Sequence, residues 1–327
     1  MVVLNDIQAA RTRIASYVRR TPLIEARPVR QPILETATLY LKLENMQISG
    51  SFKARGAVNK LLSLPEDQIA HGLVTASGGN HGLGVAYAGW LAKVPVTVYL
   101  SQNVPAVKAQ KLEDWNAKVA YEGLVWDDAN NAALKAAEAE GRTYVHPFAD
   151  PAVIAGQGTV ALEILEDLPD VDVVLVAIGG GGLISGVSLA LKALKPTVKV
   201  IGIEPVGAPT LYNSLKANRL VALDSIETAA NTLAPRLSAP INFEIIRQYV
   251  DEIVLVTDEE MQDSARWLWV ELGIAAELSG SAALAALLSG KLHFSKNERV
   301  CVLVCGLGTD GMNVPLAATL AHSANRV

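Results

Sequence analysis

Cysteine is nearly absent from this chain of 327 residues: Cys301 and Cys305 are the only two. That excludes a disulfide framework and fits a reducing compartment. No neighbouring Cys or His pair adds ligands for a metal site, so none is expected there. Basic excess is missing too. The formal net charge is −5 and the pI lies near 5.6, which leaves no field for nucleic acid or an anionic membrane. Long apolar runs are also lacking. The most apolar stretch, 171–191, is split by four consecutive glycines and falls short of the ~20 uninterrupted residues a membrane span needs. The first twenty residues read as an amphipathic helix rather than a signal peptide, because charges interrupt the apolar pattern. The cytoplasm is the expected location. No internal repeat or low-complexity segment is present.

Half of the residues are apolar, with few aromatics, which suits helices packed on a parallel sheet whose strands are short continuous apolar runs. Asn5 can cap a first helix with Ile7, Ile14 and Val18 on one side. The alternation TLYLKLE over 38–44 predicts a strand, and 52–62 a helix. Strands over 72–77, 94–100, 117–123 and 143–147 then alternate with helices over 81–92, 105–115 and 127–141. A second series has helices over 155–168, 183–194 and 209–217 and strands over 171–178 and 199–206. After a loop-rich stretch near 230–241 come a strand over 252–257, helices over 258–272 and 281–290, and a strand over 299–306. A last helix is expected to run to about 323. Alternating βα units imply right-handed crossovers and parallel sheets. Two such series predict two α/β domains of three layers, with ligand binding at strand C-termini in the cleft between them.

Three turns carry residues suited to chemistry. The first runs from Lys42 to Ala57 and places Ser49-Gly50-Ser51-Phe52-Lys53 at a helix start. A lysine there can simply be a solvated first-turn residue. Here Phe52 and the small residues that follow allow its stem an apolar pocket, and desolvation makes an amine a better nucleophile and base. The second is Ser77-Gly78-Gly79-Asn80-His81-Gly82. By itself this is a tight turn with an N-cap, yet its backbone N–H groups can cradle an anion at the helix start. The third is Gly179-Gly180-Gly181-Gly182-Leu183, directly after an apolar strand. Glycines let the backbone approach a phosphate closely, and the helix dipole adds a favourable field. A dinucleotide fingerprint would need a further glycine where Ile184 stands, so a monophosphate fits better. Cys305, ending a late strand, reads equally well as core or as functional.

In this order the three turns resemble the fold-type II, tryptophan synthase β-like pyridoxal-phosphate enzymes, and within them the serine/threonine dehydratase and serine racemase branch. His146-Pro147 followed by 152–159, and the segment 276–283, extend the likeness over roughly residues 5–315. The resemblance implies a large domain of residues 1–50 and 148–327, a small mobile domain of 51–147, and a homodimer. It implies that Lys53 holds pyridoxal 5'-phosphate covalently and removes the α-proton of an amino-acid substrate. Phe52 and Asn80 would contact the cofactor, Asn80 at its 3-hydroxyl. Gly179, Gly180, Gly181, Gly182 and Leu183 would bind its phosphate, and Cys305 would face its ring nitrogen. Ser77, Gly78, Gly79 and His81 would hold the substrate carboxylate.

The implied reaction is β-elimination of a β-hydroxy amino acid such as L-threonine or L-serine to a 2-oxo acid and ammonia. A racemase is the alternative, as is a dehydratase for a bulkier substrate such as 3-hydroxyaspartate, phenylserine or a hydroxyectoine-derived amino acid. Three departures bear on the choice. Gly78 stands where racemases carry a serine. Glu204, Pro205 and Ala208 match a cation-site pattern in which Thr210 replaces an acidic ligand, so no metal is predicted. Ala230–Ala234 and Phe148 differ from the usual residues and are expected to shape the substrate pocket. With no regulatory domain after the catalytic ones in this sequence, a catabolic role is expected.

Overall fold

The computed structural model describes residues 2–27, 33–34 and 36–312. Among these lie ten strands: β1 (Leu23–Glu25), β2 (Thr38–Leu43), β3 (Leu73–Ala76), β4 (Val96–Leu100), β5 (Lys118–Tyr121), β6 (Thr143–Tyr144), β7 (Val173–Ala177), β8 (Lys199–Pro205), β9 (Glu252–Val256) and β10 (Arg299–Val304). They form two sheets, ordered β5-β4-β3-β6 and β1-β2-β10-β7-β8-β9. Every pairing is parallel except that of β1 with β2. The α/β class with mainly parallel sheets follows directly.

The chain divides into two compact units. The first holds Met1–Arg20, Gln47–Glu163 and Gly180–Leu194; the second holds Thr21–Met46, Ile164–Gly179 and Lys195–Val327. In the first unit the period-2 alternation of strands sorts side chains onto two faces. Leu73, Val96, Val98 and Leu100 join the larger apolar cluster with Ala54, Val58, Leu61 and Val85 from the helices Lys53–Leu62 and Asn80–Ala92. Val74 and Ala76 face the other way, onto Ala133 and Ala137 of the helix Trp126–Glu140. In the second unit β7 is buried along its whole length, as a central parallel strand covered on both faces must be.

Several elements differ from expectation. The first helix is Leu4–Ile14, and Asn5 lies inside it rather than at its cap. The orphan N–H of Val3 is satisfied instead by the Asp6 carboxylate at 2.9 Å. Ile7 and Ile14 are buried as expected, but Val18 lies beyond the helix end. The helix Pro240–Tyr249 begins at the end of the stretch read as loop-rich and fills residues for which no element was expected; its proline sits in the first turn, where a fixed φ and a missing N–H favour a helix instead of breaking it. The short elements β1 and Glu66–His71 carry too few residues for a periodic signal. The helix anticipated over 281–290 begins three residues earlier, at Leu278, whose N–H donates to the Asp310 carboxylate at 2.8 Å. The helix anticipated up to 323 falls outside the described residues.

One buried ion pair ties the Lys53–Leu62 helix to the helix Pro151–Asp167. Arg55 is 1% exposed and presents its guanidinium end-on, Nη1 to Glu163 Oε1 at 2.7 Å and Nη2 to Oε2 at 3.0 Å. Removing one member of such a pair strands the other charge in the interior, which typically costs about 3–5 kcal/mol. Glu163→Ala is therefore expected to lower unfolding free energy by roughly that amount in urea titration at neutral pH. A loss below about 1 kcal/mol, the range of an exposed pair, would contradict the reading.

Candidate active site

Lys53 is the first residue of its helix, with Phe52 at the N-cap. Its Nζ lies 5.3 Å from the centre of the Phe52 ring and donates to the carbonyl of Pro147 at 2.7 Å. The backbone at Lys53 is approached closely by the neighbouring helix: a Cβ on Gly84 would lie 2.9 Å from the Lys53 carbonyl carbon. That glycine, which the sequence reading did not single out, lets the helix Asn80–Ala92 pack flush against the lysine.

Two histidines share this neighbourhood. His81 is buried, and its Nε2 lies 2.9 Å from the carbonyl of Val145. A contact with a carbonyl requires a donor, so the ring proton sits on Nε2. Nδ1 is then bare, buried and without a hydrogen-bond partner among the described residues. Burial, with the Lys53 charge next in size, holds this imidazole well below the ordinary histidine range, against the opposing pull of the Val145 bond. His146 carries the reverse pattern. Its Nδ1 accepts the backbone N–H groups of Phe148 at 3.2 Å and Ala149 at 2.9 Å. Burial and the Lys53 charge lower its pKa to about 4, against a smaller raising effect of Asp150. Both rings are neutral near pH 7.

The second predicted turn lies at the start of the helix Asn80–Ala92, with Gly79 at its N-cap. Ser77 through Asn80 are half-buried, and Ser77 Oγ accepts from the Gly79 N–H at 3.3 Å. No side chain fits at 82, where a Cβ would stand 1.9 Å from the Ser77 carbonyl oxygen. At 78 the space is tight rather than closed, with Val104 3.0 Å and Leu100 3.3 Å from a built Cβ.

The glycine run has a more divided explanation than phosphate approach alone. Gly181 has φ +95°, a conformation that L side chains disfavour. A Cβ on Gly180 would lie 2.2 Å from Cδ1 of Phe148, and one on Gly182 would lie 2.9 Å from the Phe148 backbone. Gly179, at the edge of the second unit, faces the carbonyl of Thr232 at 2.8 Å from its own would-be Cβ. Phe148 is thus seated on the glycines, one residue after the carbonyl that receives Lys53. Leu183 is buried in the first turn of the helix Gly182–Leu194, whose leading N–H groups have no acceptors within the helix. A helix start of this kind suits a phosphate, and the lysine amine is linked to it through the Pro147 carbonyl and the Phe148 ring.

In the second unit Cys305 is buried, its thiol 3.6 Å from the carbonyl of Leu303. Glu204 is fully buried, and its carboxylate accepts the N–H groups of Leu211 at 2.9 Å and Tyr212 at 2.8 Å. Burial raises its pKa to about 8 in spite of those two bonds. Thr210, the departure noted there, turns its hydroxyl to the Pro235 carbonyl at 2.7 Å. Among the described residues no group of three or more His, Cys, Asp or Glu side chains is arranged to hold a metal ion.

The family model described as "pyridoxal-phosphate dependent enzyme" matches residues 14–306. The chain belongs to this family of pyridoxal-phosphate-dependent enzymes. An L-threonine ammonia-lyase of Thermotoga maritima is 41% identical over 310 residues, covering 95% of this chain and 76% of the relative. A catabolic L-threonine dehydratase of Staphylococcus aureus is 35% identical over 327 residues, covering 99% and 94%. Among solved structures, maize serine racemase superposes with a TM-score of 0.89 at 32% identity, covering 99% of this chain and 97% of that one. The pyridoxal-phosphate enzyme described here thus combines a cofactor-family fold with a lysine and a glycine-lined helix start in one unit.

Of the groups now seen around Lys53, sequence reading named Phe52 and His81 but assigned no role to Pro147 or His146. A backbone carbonyl leaves no residue-type signal. The His-Pro pair ahead of a helix was visible, but its ring orientation was not. If Phe148 packs on Gly180 as observed, Gly180→Ala should destabilise the protein by about 1–3 kcal/mol through overpacking. Adding Phe148→Ala should recover part of that loss, a non-additivity measurable by urea unfolding of the two single variants and the double. Strict additivity would refute the contact.

Proposed function

We propose that this enzyme is an ammonia-lyase that eliminates water from a small β-hydroxy amino acid, L-threonine or L-serine, and yields a 2-oxo acid and ammonia. The observation that carries the proposal is the Lys53 amine: it begins a helix, is held 2.7 Å from the Pro147 carbonyl, and shares its unit with a glycine-lined helix start suited to a phosphate. When bound, pyridoxal phosphate supplies the electron sink that acidifies the Cα–H of the substrate.

The protein's own groups would divide the remaining work. Gly180 to Leu183 would bind the phosphate with backbone N–H groups and the positive end of the Gly182–Leu194 helix. The N–H groups of Gly78 to His81 at the start of the Asn80–Ala92 helix would orient the substrate carboxylate. Asn80 would contact the cofactor ring, and Phe52 would pack beside it. Lys53 would take the proton from Cα as a general base, within reach of which the substrate must be held for the transfer to be efficient. His81 and His146, being neutral, add no positive charge that would oppose cationic groups arriving next to Lys53. The Cα proton and the β-hydroxyl are lost together as one water, and hydrolysis of the released enamine consumes one water and sets ammonia free.

The ammonia-lyase and dehydratase names of the relatives support elimination, while the maize serine racemase likeness favours a racemase as the second reading. Gly78 speaks for elimination: it has no side chain with which to deliver a proton to the opposite face of the substrate, and Val104 and Leu100 crowd that position. The proposal extends to a cytoplasmic setting, which two free buried cysteines fit, and to a homodimer, which light scattering of the purified protein checks. Among the described residues no helix is long and apolar enough to cross a membrane.

A panel of serine, threonine, 3-hydroxyaspartate and phenylserine, scored for ammonia and 2-oxo acid, tests the reaction. Turnover of threonine or serine is expected, and Lys53→Ala should lower it by about 10²–10⁴-fold or more. Accumulation of α-deuterated D-serine in deuterated water without pyruvate would instead establish the racemase.

A further inference from the structure

The turn 146–150 is built to hold still. At its front, His146 Nδ1 accepts two successive backbone N–H groups, from Phe148 and Ala149. At its back, Asp150 Oδ1 accepts the N–H groups of Ala152 at 2.8 Å and Val153 at 3.2 Å, capping the Pro151–Asp167 helix. The other oxygen of Asp150 meets Lys60 Nζ at 2.7 Å, and Asn59 donates to the Ala152 carbonyl at 2.7 Å. Lys60 and Asn59 belong to the helix that starts with Lys53, so the turn is pinned to that helix at its far end as well.

Pro147, between the two clamps, has no N–H and a restricted φ, and its carbonyl receives Lys53. The Phe148 ring lies edge-on to the His146 ring, 4.6 Å between centres at 87°, and against Gly180. His146 therefore touches both the backbone fixing the lysine's acceptor and the aromatic ring resting on the glycines.

We propose that His146 is a positioning residue: its unprotonated Nδ1 staples the 146–149 turn, and through Pro147 and Phe148 that turn sets the place of the Lys53 amine relative to the glycine-lined phosphate site. The inference rests on Lys53 carrying the cofactor and assigns the geometry to a group outside the reacting atoms. It makes a specific chemical demand. The residue at 146 must offer an acceptor one bond beyond Cγ and need not transfer a proton. Asparagine meets that demand, because its Oδ1 occupies the same topological position and commonly accepts N–H groups two and three residues on. Alanine does not.

In the holoenzyme, His146→Ala is expected to reduce kcat by about 10–100-fold, the scale of a small misplacement of a reacting group. KM should stay within about threefold, and the pyridoxal-phosphate dissociation constant, read by absorbance titration of the apoenzyme, should rise about tenfold. His146→Asn should restore both kcat and cofactor affinity to within about threefold of the parent. An alanine variant that matches the parent, or an asparagine variant as impaired as alanine, would overturn the proposal.

A measurement on the unaltered protein stands beside these in case the alanine variant fails to fold. The ¹⁵N spectrum of labelled imidazoles should show the His146 Nδ1 unprotonated and Nε2 protonated at pH 7, assigned by its disappearance in His146→Asn. A protonated Nδ1 would equally overturn it. Failure of the underlying reading is distinguishable, since in that case Lys53→Ala would retain the cofactor band and turnover whatever the substitutions at 146 do.

Discussion

The hydrogen bond from Lys53 to the carbonyl of Pro147 is the interaction on which the rest of the site depends. It joins the start of one helix to a turn that leads into another, and the next residue along that turn rests on the glycine run. A long, flexible amine has several torsions to lose before it can act at one place. The surroundings of Lys53 restrict it from several sides: Gly84 lets a neighbouring helix close on its backbone, Phe52 lies beside its ammonium, and a clamped turn supplies its acceptor. The buried Arg55–Glu163 pair, two residues into the same helix, fixes that helix to the one following the turn. Position of the amine is thus determined by packing and charge pairing well beyond the amine itself.

The electrostatics of the neighbourhood agree with this arrangement. Both nearby imidazoles are kept neutral, chiefly by burial and next by the lysine's own charge. A neutral ring can accept hydrogen bonds, and His146 uses that capacity structurally. His81 uses its proton on the Val145 carbonyl and keeps a bare, buried nitrogen. Neither ring is arranged as a conventional acid at neutral pH. The proton chemistry proposed above consequently falls to the lysine, with the oriented backbone N–H groups of the two helix starts left to bind anions.

Much of this was legible in the sequence because the chemistry depends on residue types that local rules identify. The alternation of short apolar runs with helical stretches gave the parallel sheets, and Phe52-Lys53, Ser77 to Gly82 and Gly179 to Leu183 stood at strand-to-helix transitions where ligands are held. What escaped were features without a residue signature. The Pro147 carbonyl is backbone, the ring orientation of His146 depends on a turn closing around it, and Pro240 read as a loop residue although it opens a helix. The glycine run was recognised for one reason and proves to have others: Phe148 fills the space that side chains at 180 and 182 would need, while at 181 the backbone angle alone demands glycine. Phe148, expected as a pocket-lining departure, is explained here as the residue that bridges the lysine's turn and the glycines.

The central claim is that one amine, at position 53, bears the cofactor. Borohydride reduction of the purified enzyme, followed by proteolysis and peptide mass mapping, addresses it without any assumption about substrate. The account predicts a pyridoxyl-phosphate mass increment on the peptide containing Lys53 and on no other lysine. An increment located on a different lysine, or none on a protein that shows the cofactor's absorbance, would contradict it.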